Sequence, residues 1–238
     1  MSMYVILIVM GFIAGFFSGS IGFGGGMIIL PVITYFYGIE VAVPISTIAQ
    51  MLSNLSRAAF GYKDIHWGKV GLFLVCAAPL TALGAYGFAV VPKVPMTRAL
   101  CFFLIVFAVM KLTGKMKLPE NKATALIGGG LTGLTNGLLG ISGPISSAVF
   151  MTFGLTPVAY IASEATAAAA MHIIKAAMYG KLNLMNGSIF LSGLYIGAAL
   201  MIGNFVAMRF ISTVNRKLYQ KVIAGFLILV SLWLMFTV

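Results

Sequence analysis

Two basic residues, Arg57 and Lys175, lie inside apolar segments of the chain, where ionisable side chains are rare. Such groups are costly in a membrane-spanning segment and usually belong to an ion pair or a functional site. Around Arg57, polar residues recur at helical spacing, namely Ser46, Gln50, Ser53 and Arg57, with Thr47 and Asn54 beside them. The segment around Lys175 also holds Ser163, Glu164 and His172. Two cations of this kind could bind a small anion.

Each of these ionisable residues also has a purely structural interpretation. Arg57 and Lys175 lie four and five residues before a glycine, so either side chain could instead extend to the lipid headgroups. Glu164 could form a structural ion pair with a basic residue. His172 could transfer protons, because imidazole titrates near neutral pH, or could be a buried polar residue of a helix bundle. Glu164 and His172 are therefore candidates for proton coupling, with these alternatives open.

Two glycine-rich breaks interrupt the apolar segments: Gly22-Phe23-Gly24-Gly25-Gly26, followed by Pro31, and Gly140-Ile141-Ser142-Gly143-Pro144. Irregular backbone at membrane depth occurs where it is buried in protein or lines a cavity. The N–H groups at the start of the next helix attract anions, and glycine allows a ligand to approach the backbone. The alternative is close helix packing, which we favour for Gly15 and Gly133. The predicted substrate-binding residues are Gly22, Gly24, Gly25, Gly26, Ser142, Gly143, Gln50, Asn54, Arg57 and Lys175.

The composition indicates which elements must position these residues. The chain has 238 residues, of which 61% are hydrophobic and 8% are charged, with a net charge of +11. Because soluble domains have about 25% charged residues, this excludes a soluble enzyme, a nucleic-acid-binding protein and a disordered chain. A spanning helix needs about 20 apolar residues. We therefore predict an all-α integral membrane protein with about eight to ten membrane segments, including short or re-entrant helices at the two breaks.

The second half of the chain repeats the first at a shift of about 118 residues. Residues 14–22 align with 132–140, and the Arg57-Ala58-Ala59 run aligns with Lys175-Ala176-Ala177. Internal repeats are common in secondary transporters. We predict a first transmembrane repeat over residues 1–110, a basic cytoplasmic connector over 111–122 and a second repeat over 123–238, all in one membrane domain.

The distribution of basic residues favours inverted repeats, because the cytoplasmic side of a membrane protein collects Lys and Arg. If the connector is cytoplasmic, inverted repeats place ten basic residues on the cytoplasmic side and three outside. Parallel repeats would place seven basic residues on the cytoplasmic side and six outside. The ten are Lys63, Lys69, Lys111, Lys115, Lys117, Lys122, Arg209, Arg216, Lys217 and Lys221; the three are Lys93, Arg98 and Lys181. Both termini are then outside. Residues 27–37 span only about half of the bilayer core, which leaves two topologies open. Each repeat contains either a re-entrant hairpin followed by three full spans or five tilted crossings.

Residues 11–31, GFIAGFFSGSIGFGGGMIILP, resemble the TauE/SafE family of sulfite exporters, with the G-x-G-G-G-x4-P run as the most specific element. The motif recurs after a basic central loop, and this repeated arrangement is also similar to that of the family. The resemblance implies transport across a prokaryotic inner membrane, with sulfite, sulfonates or related organic acids as substrates. The second copy departs from the family pattern, because Ser142-Gly143-Pro144 replaces the three glycines.

These observations together predict a secondary transporter that exports a small anion by alternating access. An ion channel or cation carrier, with Glu164 and break carbonyls as ligands, and a membrane scaffold without substrate are the alternatives. No enzyme motif is present, and the isolated Cys76 and Cys101 argue against a metal or redox centre, so no cofactor is expected. The expected partners are the anionic substrate and the lipid bilayer, without nucleic acid; homo-oligomerisation is open.

Overall fold

The computed structural model describes residues 3–21, 25–113, 118–210 and 216–237. Within these ranges the chain forms ten α-helices and a short 3-10 helix, and it contains no β-strand, which confirms the all-α prediction. The helices are α1 (Met3–Ile21), α2 (Gly26–Tyr37), α3 (Ile39–Phe60), α4 (Trp67–Val90), α5 (Lys93–Thr113), α6 (Lys122–Leu139), α7 (Gly143–Met151), α8 (Pro157–Lys181), α9 (Gly187–Phe210) and α10 (Arg216–Thr237), and the 3-10 helix covers Tyr62–Asp64.

Short connections join α2 to α3 and α4 to α5. A single residue, Gly38, connects α2 to α3, because its φ of 75° ends α2 and allows α3 to start at Ile39. The helix α5 begins at Lys93, so Pro95 lies in its first turn, where proline is tolerated because the first N–H groups have no helical acceptor.

Three helices have the length and apolar composition of a membrane span within the described residues. These segments are Trp67–Val90, which is all of α4, Lys93–Met110 in α5 and Gly187–Ala207 in α9. Shorter apolar segments occur in α1, α2 and α10. The polar helices α3 and α8, with 22 and 25 residues, are long enough to cross a bilayer core of about 30 Å. Their buried polar side chains explain why they lack a comparable apolar stretch.

Glycines bring α1 against α9 and α6 against α4. A Cβ atom on Gly15 would lie 2.2 Å from the carbonyl oxygen of Leu200, and one on Gly133 would lie 2.2 Å from that of Ala77. Small residues permit such close backbone approach between membrane helices. The interpretation of Gly15 and Gly133 as packing residues is confirmed.

The polar helices α3 and α8 pack against each other at the centre and run antiparallel. Near the end of α3, Arg57 faces Glu164 of α8, and a Cβ atom on Gly61 would meet Ala162 and Val158, which come earlier in α8. Outside this pair, α9 covers α3, α4 covers α8, and α5 packs on α10. The two helices that hold the candidate site residues are therefore enclosed by more apolar helices.

Candidate functional site

Arg57 and Glu164 form an ion pair in the interior of the protein. Each side chain is 1% exposed, and Arg57 Nη2 lies 3.6 Å from Glu164 Oε2. The same Nη2 donates a hydrogen bond to Asn54 Oδ1, while Ser146 Oγ donates to Glu164 Oε1 at 2.7 Å. Of the interpretations left open for Glu164, the ion pair with a basic residue is observed. Extension of Arg57 to the lipid headgroups is wrong, because a carboxylate on a neighbouring helix holds it in the core.

Lys175 is also fully buried, but its partners are neutral. Its Nζ atom donates to the backbone oxygen of Asn136 at 3.1 Å and to Asn136 Oδ1 at 3.0 Å. Lys175 makes no ion pair with any carboxylate of the described residues. Its extension to the lipid headgroups is therefore wrong as well. One turn further along α8, the hydroxyl of Tyr179 donates to the carbonyl of Gly137 at 2.9 Å, next to this contact.

The ionic cluster is defined as Asn54, Arg57, Asn136, Ser146, Glu164, His172 and Lys175. Several of its polar atoms have no hydrogen-bond partner among the described residues. They are Arg57 Nε and Nη1, Glu164 Oε2, Asn136 Nδ2, and both ring nitrogens of His172. His172 is completely buried and lies within electrostatic range of both Arg57 and Lys175. Buried donors without partners are costly unless water or a ligand satisfies them. Of these atoms, Arg57 Nε and Nη1 and Asn136 Nδ2 are hydrogen-bond donors, whereas Glu164 Oε2 is an acceptor that is ion-paired with Arg57.

Gln50 lies where the two glycine-rich segments come together. Its Nε2 donates to the carbonyl of Gly140 at 3.4 Å, and a Cβ atom on Gly26 would lie 2.0 Å from its amide carbon. A Cβ atom on Gly25 would instead lie 2.7 Å from Leu200 Cδ2. The space over Gly26 is therefore occupied by the Gln50 amide, and the space over Gly25 by an apolar side chain. Gly22 and Gly24 lie outside the described residues.

The second break lies close to the ionic cluster. Ser142 precedes α7 and is 5% exposed, and its carbonyl oxygen lies 3.0 Å from Ser146 Oγ. Gly143 is the first residue of α7 and is also buried. Ser146 thus connects this break to Glu164, because its hydroxyl contacts both groups.

Ser146 and Asn136 are site residues that the sequence patterns did not identify. Ser146 comes one helical turn after Ser142, and Asn136 lies in the segment that repeats residues 14–22. Neither position stands out among the many serines and small residues of this half. Their roles depend on contacts with α8, which sequence spacing does not encode.

The ionic cluster is closed to the surface in this conformation, since Arg57, Glu164, His172 and Lys175 are each at most 1% exposed. A separate cavity of about 370 Å³ lies among α5, α6 and α7, with a lining that is mostly apolar. Its lining includes Met110, Ile127, Leu131 and Ile145, and no member of the ionic cluster. This cavity is therefore separate from the ionic cluster.

The model of the sulfite exporter TauE/SafE family matches residues 7–234, which is nearly the whole chain. The chain belongs to this family. The resemblance found in residues 11–31 is thereby confirmed. Membership implies a membrane transporter of sulfur-containing anions and not an enzyme. No curated protein matches the chain. The described residues contain no group of three His, Cys, Asp or Glu side chains that could hold a metal ion.

Proposed function

We propose that this protein is a secondary transporter that exports a small sulfur-containing anion, such as sulfite or an organosulfonate, by alternating access. The observation that carries the proposal is the ionic cluster, in which one cation from each half of the chain is buried and Arg57 has unsatisfied donors. Anions are stabilised in a water-poor site by preorganised positive charge and hydrogen-bond donors. A bundle that only packed helices would have little reason to retain these costly groups.

Arg57 and Lys175 would bind the anion in different ways. The guanidinium of Arg57 has Nε and Nη1 without a hydrogen-bond partner among the described residues. Because these two nitrogens lie on different edges of the guanidinium, each would donate to the anion as a single donor. An ammonium group has three donors, and Lys175 uses Asn136 as its acceptor for two contacts. The third N–H can bind the anion. Gln50, Asn54, Ser142, Gly143 and the residues of the first break would complete the surroundings.

Alternating access requires two halves that can move relative to each other, and the helix contacts support an inverted repeat. In the repeat, α6 is the counterpart of α1 and α4 is the counterpart of α9. The contact of α1 with α9 therefore corresponds to the contact of α6 with α4. The contact of α3 with α9 corresponds in the same way to that of α8 with α4. The duplicate helices α3 and α8 are antiparallel, as inversion requires. Rocking of one repeat against the other would expose the ionic cluster alternately on each side.

The orientation follows from the basic residues. The excess of Lys and Arg on one side supports a cytoplasmic central connector with both termini outside. Glu164 and His172 are the candidates for proton coupling, because one competes for Arg57 and the other has two unpartnered ring nitrogens. An imposed pH gradient should then change the flux, and indifference to the gradient would exclude coupling.

The test is anion flux in proteoliposomes that contain the purified protein. Arg57→Ala and Lys175→Ala should each reduce sulfite or sulfonate flux by about tenfold or more, because hydrogen bonds to charged groups contribute about 1.5–3 kcal/mol. Lys181→Ala is the matched control, since Lys181 is an exposed cation at the end of the same helix. Undiminished flux in both cluster variants would remove the two cations from the mechanism.

Loss of flux must be distinguished from loss of folding. Arg57→Ala leaves Glu164 as an unpaired buried charge, which costs about 3–5 kcal/mol in soluble proteins. The double variant Arg57→Gln with Glu164→Gln removes both charges together and should retain more of the stability. It should nevertheless fail to transport if Arg57 binds the anion. Gel filtration and thermal unfolding identify the variants that are folded.

A further inference from the structure

The formal charges of the ionic cluster do not cancel. Among the described side chains, Arg57, Lys175 and Glu164 are the buried ones with a formal charge, while the others are partly or fully exposed. Glu164 neutralises Arg57, and Lys175 has only the amide and backbone oxygens of Asn136 as partners. With Arg57, Lys175 and Glu164 ionised and His172 neutral, the cluster carries one net positive charge.

One excess positive charge matches an anion with one negative charge. A monoanion would bring the closed cluster to neutrality, whereas a dianion would leave one negative charge without a partner. An uncompensated charge in a protein interior costs several kcal/mol, and no water-exposed route screens this site in the closed conformation. The closed, anion-bound state should therefore form more readily with a monoanion.

We propose that Glu164 sets the charge of the transported anion to one, so that the substrate is an organosulfonate or hydrogen sulfite and not a dianion. This inference rests on the proposed function. Glu164 acts as an internal anion that occupies Arg57, and it thereby removes one of the two positive charges that a dianion would need. Its carboxylate is held in place by Ser146, whose hydroxyl lies 2.7 Å from Oε1.

Methanesulfonate and sulfate are suitable probes, because both are tetrahedral about sulfur. Methanesulfonate has a methyl group where sulfate has its fourth, charged oxygen. Neither changes its charge near neutral pH. Binding of each to the purified full-length protein is measured by thermal shift and by titration at constant ionic strength and pH. The wild-type protein should bind methanesulfonate at least about tenfold more tightly than sulfate, which corresponds to ~1.4 kcal/mol.

Glu164→Gln raises the net charge of the cluster to two, and it should lower the preference for methanesulfonate over sulfate by about tenfold or reverse it. Glu164→Asp keeps the charge and should keep the wild-type preference. Ser146→Ala removes the hydrogen bond to Glu164 but no charge, so it controls for small changes in packing. Both controls should retain the preference even where the affinity for both anions falls.

Three results would contradict the inference. Equal or tighter binding of sulfate by the wild-type protein would overturn it without any variant, even if Glu164→Gln does not fold. An unchanged preference in a folded Glu164→Gln variant would overturn the role of Glu164 and leave the anion-transport function intact. Absence of binding and flux for methanesulfonate, sulfite and sulfate alike would overturn the proposed function as well.

Discussion

Gly133→Ala places a methyl group directly against the backbone of a neighbouring helix. The added Cβ would lie 2.2 Å from the carbonyl oxygen of Ala77 in α4, and real Cβ atoms essentially never approach closer than 3.0 Å. The helices α4 and α6 must therefore separate by at least 0.8 Å at this point. A backbone carbonyl cannot rotate away like the end of a flexible side chain, so the whole helix contact has to adjust.

The expected cost follows from overpacking of a closely packed interior, which destabilises proteins by about 1–3 kcal/mol. Gly71 in α4 is the matched control, because a Cβ atom there would meet nothing within 4 Å. Gly71→Ala should stabilise the protein by up to about 1 kcal/mol through the higher helix propensity of alanine. The two variants should therefore differ by about 1–4 kcal/mol in the free energy of unfolding.

Thermal unfolding of the detergent-solubilised protein measures this difference. For a chain of this size, 1 kcal/mol corresponds to about 2–4 °C in Tm, so Gly133→Ala should unfold at least about 2 °C below Gly71→Ala. Gly15→Ala in α1 has the same 2.2 Å approach, to the carbonyl of Leu200, and should lose a similar amount. A Gly133→Ala variant as stable as Gly71→Ala would refute the conclusion that this glycine is required for helix contact.

Two further predictions concern the surroundings of the ionic cluster. Gly26→Ala should displace the Gln50 amide and destabilise the protein by about 1 kcal/mol, because the hydrogen bond from Gln50 to Gly140 is lost. In a Gln50→Ala background, Gly26→Ala should lower the thermal stability much less. Equal effects in both backgrounds would contradict the contact. Tyr179→Phe removes the hydroxyl that binds the carbonyl of Gly137 and should lower Tm by about 2–4 °C with anion flux retained, whereas loss of flux in a folded variant would place the hydroxyl in the transport site.

The sequence was sufficient to predict the helical elements and that this is a membrane protein. A chain with 8% charged residues cannot cover a water-facing surface, so its helices had to be apolar and numerous. The break before Met27 and the segment ending at Tyr37 were placed within one residue of the observed helix α2. Gly15 and Gly133 were correctly interpreted as packing residues, because small residues at regular spacing in apolar helices permit close contact.

Within the candidate site, the sequence identified the ionisable residues but not their partners. Arg57 and Lys175 occupy equivalent repeat positions, which predicts equivalent roles. In the folded protein, Arg57 is paired with Glu164 and contacts Asn54, whereas Lys175 contacts Asn136. Repeat alignment compares positions within the two copies, while these contacts connect different helices.

The distinction has a physical origin. Helix formation, membrane preference and polar stripes depend on residues that are neighbours along the chain, so spacing alone reveals them. The charge of the ionic cluster depends on which of its cations meets the carboxylate of Glu164. That contact joins residues more than one hundred positions apart and requires the antiparallel packing of α3 and α8. Because electrostatic interactions depend on distance in space, the difference between Arg57 and Lys175 arises only when the helices assemble.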